Sequence, residues 1–138
     1  MSWDVLLLPL PADAASVSDL PDGLSPPPIG GAARVRDALR AAVPGVDLSD
    51  PAWGVLEGPT WSVELNIGAG DPVESVMLHV RGGGDDVLPV IHRMAAALGC
   101  RAVDCSEGDF LAEGDGTGWH AFQEFRDRVL APRPEHEA

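Results

Sequence analysis

Two stretches of alternating side chains constrain this sequence more than anything else in it. Trp61, Val63, Leu65 and Ile67 are apolar while Ser62, Glu64 and Asn66 between them are polar, the period of two that marks a half-buried strand. After a turn through Gly68, Ala69, Gly70, Asp71 and Pro72, the segment Val76–Arg81 repeats the pattern, with Val76, Leu78 and Val80 on one side and Met77, His79 and Arg81 on the other. If these strands pair antiparallel and share their apolar face, odd positions on the first oppose even positions on the second, because a one-residue slip would turn every side chain over. Paired numbers must then sum to an odd value, and sums near 143 set Glu64 opposite His79, Ser62 opposite Arg81 and Asn66 opposite Met77. A short strand, Trp53–Glu57, turned by Gly58, Pro59 and Thr60, precedes them. The three together read as an antiparallel meander.

The flanking sequence supplies the rest of one α+β domain. Ser2–Leu8 carries apolar residues on both faces, which places it inside a sheet. Val5–Leu10 with Ala12, Asp13 and Ala14 imitates a secretory leader, but a leader starts basic and here Asp4, Asp13, Asp19 and Asp22 all precede the first arginine, Arg34. It is read as a strand. A proline-rich crossing over 9–31 leads to a helix over 32–43, with Val35, Ala38, Leu39 and Ala42 on one face and Pro44 and Gly45 beyond its end. A second helix over 87–98 has a core stripe of Val87, Ile91, Met94 and Leu98, Asp86 as its expected N-cap, Pro89 in its first turn and Gly99 as its stop. Arg101–Cys105 reads as a strand that resumes over 109–112. Thr117 is the expected N-cap of a third helix, Gly118–Leu130, which should bury Trp119, Phe122, Phe125 and Val129. Pro132 breaks that helix, and 132–138 reads as a flexible tail. The expectation is a single domain over 1–131, in the order β-α-β-β-β-α-β-α, with a mostly antiparallel sheet of about five strands and three helices on one side.

Composition narrows the function. The 138 residues, ordinary in size for one domain, carry 22 carboxylates against nine basic side chains, all arginine, for a net charge of −13. Such a chain repels phosphate backbones and anionic membrane surfaces, so neither nucleic acid nor a membrane is an expected partner. No apolar run approaches the ~20 residues of a spanning helix. A cytoplasmic protein is expected. Lysine and tyrosine are both missing, which removes Schiff-base, phosphate-loop and tyrosyl chemistry.

Each remaining motif has a plain structural explanation. Gly82–Gly84 at a helix start would attract an anion, but Asp85 and Asp86 are expected to occupy the same donors. Asp109, Glu113, Gly114 and Asp115 loosely match a calcium loop, yet Leu111 and His120 stand where ligands are required. The four histidines lack metal-ligand spacing. Cys100 and Cys105, at an odd offset, would face opposite ways on a strand and read as buried or half-buried thiols. No catalytic set, metal or cofactor is expected. Glu64, His79 and Arg81, brought together on the polar side of the sheet, are the one cluster suited to acid/base or ligand chemistry.

Charge layout points further. Residues 41–80 and 102–125 each hold six carboxylates and no arginine. The second stretch contributes Asp104, Glu107, Asp109, Glu113 and Asp115 as candidates for meeting a basic protein partner, whose approach such charge would steer.

The opening Met1-Ser2-Trp3-Asp4, the turn Asp50-Pro51-Ala52-Trp53-Gly54, the strand segments 61–68 and 75–83, and Trp119-His120-Ala121-Phe122-Gln123 together resemble a group of small, uncharacterised bacterial proteins. In size, acidity and its closing Trp/Phe-Gln helix the chain is also similar to immunity proteins of bacterial polymorphic toxin systems. That second resemblance implies a non-enzymatic module that neutralises a cognate toxin. The alternatives are a small enzyme or ligand binder using the Glu64, His79, Arg81 face, and a structural or oligomeric subunit.

Overall fold

Alternating strands in the middle of the chain do build an antiparallel sheet, and the rest of the chain widens it. The computed structural model describes residues 1–130; the tail expected over 132–138 lies outside the described residues. Its strands are β1 (Trp3–Leu8), β2 (Asp47–Asp50), β3 (Trp53–Glu57), β4 (Trp61–Asn66), β5 (Val76–Gly82), β6 (Arg101–Asp104) and β7 (Asp109–Phe110). Its helices are α1 (Ala32–Ala42), α2 (Val87–Leu98) and α3 (Thr117–Leu130), and a short 3-10 turn covers Val17–Asp19. The strands form one sheet in the order β2-β3-β4-β5-β1-β6-β7, and every pairing is antiparallel. The α+β class is as expected, with seven strands rather than about five.

The two added strands carry weak signals. β2 reads Asp-Leu-Ser-Asp, and only Leu48 is buried. The Asp47 and Asp50 carboxylates accept hydrogen bonds from Ser49 N and Ala52 N, each at 2.9 Å, which is turn chemistry inside a strand. β7 is two residues long. β1 lies between β5 and β6, the interior position that its two apolar faces call for.

One face of the sheet is the core. Trp3, Val5 and Leu7 of β1, Val63 and Leu65 of β4 and Val76, Leu78 and Val80 of β5 are buried with Val35 and Leu39 of α1 and Ile91 and Met94 of α2. Burying side chains of this size stabilises the fold by about 1.5–3 kcal/mol each.

The sheet's two edges are closed by different means. At β7, the Asp109 carboxylate accepts from Ser16 Oγ and Val17 N, both at 2.8 Å. Arg101 of neighbouring β6 donates to Pro11 O at 2.7 Å and Ala14 O at 3.0 Å. The crossing segment is thereby tied along that edge. At β2, exposed Asp47, Ser49 and Asp50 place charge where another strand would have to pair, which discourages it.

Helix ends depart from expectation in instructive ways. Asp86 stands at the N-cap of α2, but its φ of −66° and ψ of −11° are already helical and its side chain makes no capping bond. Its carboxylate accepts instead from Trp61 Nε1 at 2.9 Å, while Asp85 pairs with His120 Nε2 at 2.8 Å. Both acids are recruited by rings from other elements rather than by the helix. α3 begins at Thr117 itself, whose N–H donates to Asp115 Oδ1 at 3.0 Å. Its expected apolar stripe is only half correct. Trp119 is fully buried, whereas Phe125 and Val129 are 50% and 52% exposed. α3 crosses the end of the sheet, and a helix advancing about 1.5 Å per residue leaves the sheet behind within its second half.

Candidate functional site

The polar row of the sheet has the register that parity requires: Glu64 faces His79, Ser62 faces Arg81 and Asn66 faces Met77. The side chains nevertheless choose other partners. Arg81 donates diagonally to Glu64 Oε1 at 2.5 Å, and His79 Nδ1 pairs with Asp4 Oδ1 at 2.9 Å across β1. Trp53 stacks on the His79 ring, with centroids 5.9 Å apart and planes at 19°. Ser2 Oγ donates to Asp4 at 2.6 Å. Glu64 and His79 are therefore neighbours without a shared proton path, and none of the principal cavities among the described residues is lined by Glu64, His79 or Arg81. Asp4 and Trp53, which both contact His79 on this face, escaped the sequence reading because their contacts depend on the β1–β5, β3–β4 and β4–β5 registers.

A groove of about 460 Å³ lies at the end of the sheet beneath α3, with Ser2, Asp4, Cys105 and Glu107 on one wall and Phe122 and Phe125 on the other. Asp104 builds it. This residue belongs to the acidic set expected at the surface, yet it is only 2% exposed. Its Oδ1 accepts from Trp3 Nε1 at 3.1 Å, Ser106 N at 2.9 Å, Ser106 Oγ at 2.6 Å and Glu107 N at 3.3 Å. A buried carboxylate must find such donors, and here they fold the chain tightly after β6. Gly118 lies against Asp104 Oδ2 so closely that a Cβ there would collide with it. A glycine is thus required where α3 enters, and Trp119 can then pack on Trp3 with ring centroids 5.3 Å apart and donate to Gly84 O at 3.1 Å.

The other acids of that stretch divide by task. Asp109 secures the crossing segment, and the hydrogen bonds from Val17 N and Phe110 N hold its carboxyl below the usual range. Asp115 is held low in the same way by Thr117. Glu107 and Glu113 are exposed and are left to face solvent. Glu113 borders a second cavity, about 630 Å³, along the outer side of α2 with Leu88, Pro89, His92 and Arg93. His92 Nε2 is buried there without a hydrogen-bond partner among the described residues.

The edge acids of the two acidic stretches lie on opposite sides of the molecule. Asp47 and Asp50 belong to β2 at one edge, and Glu107 and Asp109 flank β6 and β7 at the other. Six strand spacings, roughly 29 Å, separate those edges.

Neither cysteine belongs to a bridge. Cys100 is partly buried, and desolvation pushes its thiol up to about 11. Cys105 lies beyond the end of β6 and is exposed rather than half-buried; desolvation, then the charges of Asp4 and Asp104, raise its thiol. Among the described residues no three His, Cys, Asp or Glu side chains are grouped to hold a metal ion, and no helix is long and apolar enough to cross a membrane. No protein-family model matches the chain, and comparison with curated proteins and with solved structures finds no similar protein.

Proposed function

We propose that this protein is a non-enzymatic protein-binding module that receives a basic partner against the groove beneath α3. One observation carries the reading: Phe125, Val129 and Leu130 are 50%, 52% and 71% exposed on one helix, and Phe125 continues directly into a groove walled by Asp4 and Glu107. Large apolar groups left in water beside acidic ones suit a partner that brings arginine or lysine around an apolar patch. The aromatic ring would anchor the contact and the carboxylates would steer its approach. A cognate toxin, neutralised by occlusion, is the partner that the immunity-protein resemblance implies.

The acid/base alternative has less support, because Glu64 is engaged by Arg81 and His79 by Asp4. Co-expression with the product of an adjacent toxic gene tests the main reading. The wild-type chain should restore growth, and Phe125→Ser and Glu107→Arg should each weaken the complex by about 2 kcal/mol, the scale of an interface hot spot, without lowering the melting temperature. If both variants protect as well as the wild type, α3 is not the docking surface.

A further inference from the structure

We infer that the groove beneath α3 is a pocket for one arginine side chain of the protein partner. This rests on the docking reading of α3 and names the group that enters. At about 460 Å³ the groove falls within the size range of ligand sites, and its two walls differ in kind. Asp4 and Glu107 bring carboxylates to one, and Phe122 and Phe125 bring rings to the other. No arginine or histidine is among the described residues that line it.

The acids of that wall have capacity to spare. Glu107 is exposed and its carboxylate has no ion-pair partner among the described residues. Asp4 Oδ1 accepts from Ser2 Oγ and pairs with His79 Nδ1, but Oδ2 makes no hydrogen bond among the described residues and the side chain is 40% exposed. The Cys105 thiol on the same wall registers the resulting field, since desolvation first and then the charges of Asp4 and Asp104 raise it. The opposite wall is firm at one end and open at the other. Phe122 is stacked on buried Trp119, which holds its ring in place, and Phe125 is 50% exposed.

Arginine satisfies both walls at once. Its guanidinium is flat, so the edge can donate to carboxylates while the face lies on an aromatic ring. The ammonium of lysine is more strongly hydrated and has no such face. The molecule makes a contact of this kind within itself: the Arg101 guanidinium lies 3.7 Å from the centre of the Phe110 ring, and its charge helps to hold neighbouring Asp109 low. Val129 follows Phe125 by one helical turn, about 6 Å, and is 52% exposed. The partner is therefore expected to carry an apolar residue beside its arginine.

Titration of the full chain with N-acetyl-arginine amide, followed through backbone amide NMR shifts, tests the inference. The shifts should saturate and centre on Ser106, Glu107, Ala121, Phe122 and Phe125. N-acetyl-lysine amide should bind about threefold more weakly, because it lacks the stacked face, and the uncharged N-acetyl-citrulline amide should not saturate. Free arginine, whose own carboxylate would meet Asp4 and Glu107, should bind more weakly than the blocked form, which marks a side chain rather than the free amino acid as the occupant. Phe125→Leu should abolish the preference for arginine over lysine, and Glu107→Gln should weaken both by about threefold. Glu57→Gln, which removes an exposed acid of β3, should change neither. Each variant is first checked for a native melting transition, and should one fail to fold, the wild-type ligand series decides alone. Lysine binding as well as arginine, or shifts scattered over the acidic surface, overturns the inference. If Phe125→Ser and Glu107→Arg then still weaken protection on co-expression, α3 remains the docking surface, so the two readings fail separately.

Discussion

The two halves of α3 carry the same apolar stripe and meet opposite fates. Trp119 is fully buried, tilted against Trp3 at 5.3 Å and stacked on Phe122 at 5.8 Å. Phe125 and Val129, on the following turns, are half in water. Spacing alone does not separate them. What separates them is the surface each turn passes over: the first half lies on the end of β1 and the buried Asp104, while the second borders the open groove with Phe125 and reaches the sheet through Arg126, which donates to Gly82 O. One helix thus serves as a structural lid at its start and as an apolar display at its end.

Substitutions ranked by effect test that division. Trp119→Ala should cost most, about 4 kcal/mol, because a large ring leaves a cavity against Trp3 that the sheet cannot close; chemical denaturation measures it. Asp104→Ala should cost about 3 kcal/mol by the same measurement, since Trp3 Nε1 would be left buried without an acceptor and the turn through Ser106 and Glu107 would lose the carboxylate that holds it. A loss there below a few tenths of a kcal/mol would mean that the first half is not held by this carboxylate. Val129→Ser should change stability by less than about 0.5 kcal/mol, as surface replacements do; a larger loss would show that the second half is packed after all.

The smallest expected effect is a response to pH. The backbone and side-chain hydrogen bonds of Thr117 hold the Asp115 carboxyl below its usual 3.8. A depressed carboxyl stabilises the folded state above its unfolded value, and that contribution is lost as pH falls through the folded value. Amide exchange in the first turn of α3 should therefore quicken only below about pH 3.8, and Asp115→Asn should make it insensitive to acid there.

What the sequence reveals follows the range of the interaction. The pairing of Glu64 with His79 is legible because parity and a shared apolar face exclude every second register and the turn between the strands centres the rest near it. β2 is hidden because Asp47 and Asp50 satisfy their own local backbone, which reads as a turn. Asp104 looks like surface charge because only the β1–β6 pairing reveals that Trp3 supplies its donor. Asp86 looks like a cap because the competing donor, Trp61 Nε1, is remote in sequence. The α3 stripe misleads for a related reason: periodicity states which residues share a side and is silent on where the neighbouring layer stops.

The closed edges have a consequence for how large anything built from this protein can grow. A sheet that could accept strands at its flanks would elongate without limit. With the crossing segment tied along β7 by Asp109 and Arg101, and β2 charged, backbone pairing offers no such route. A partner must therefore meet a face or a helix of this molecule rather than extend its sheet.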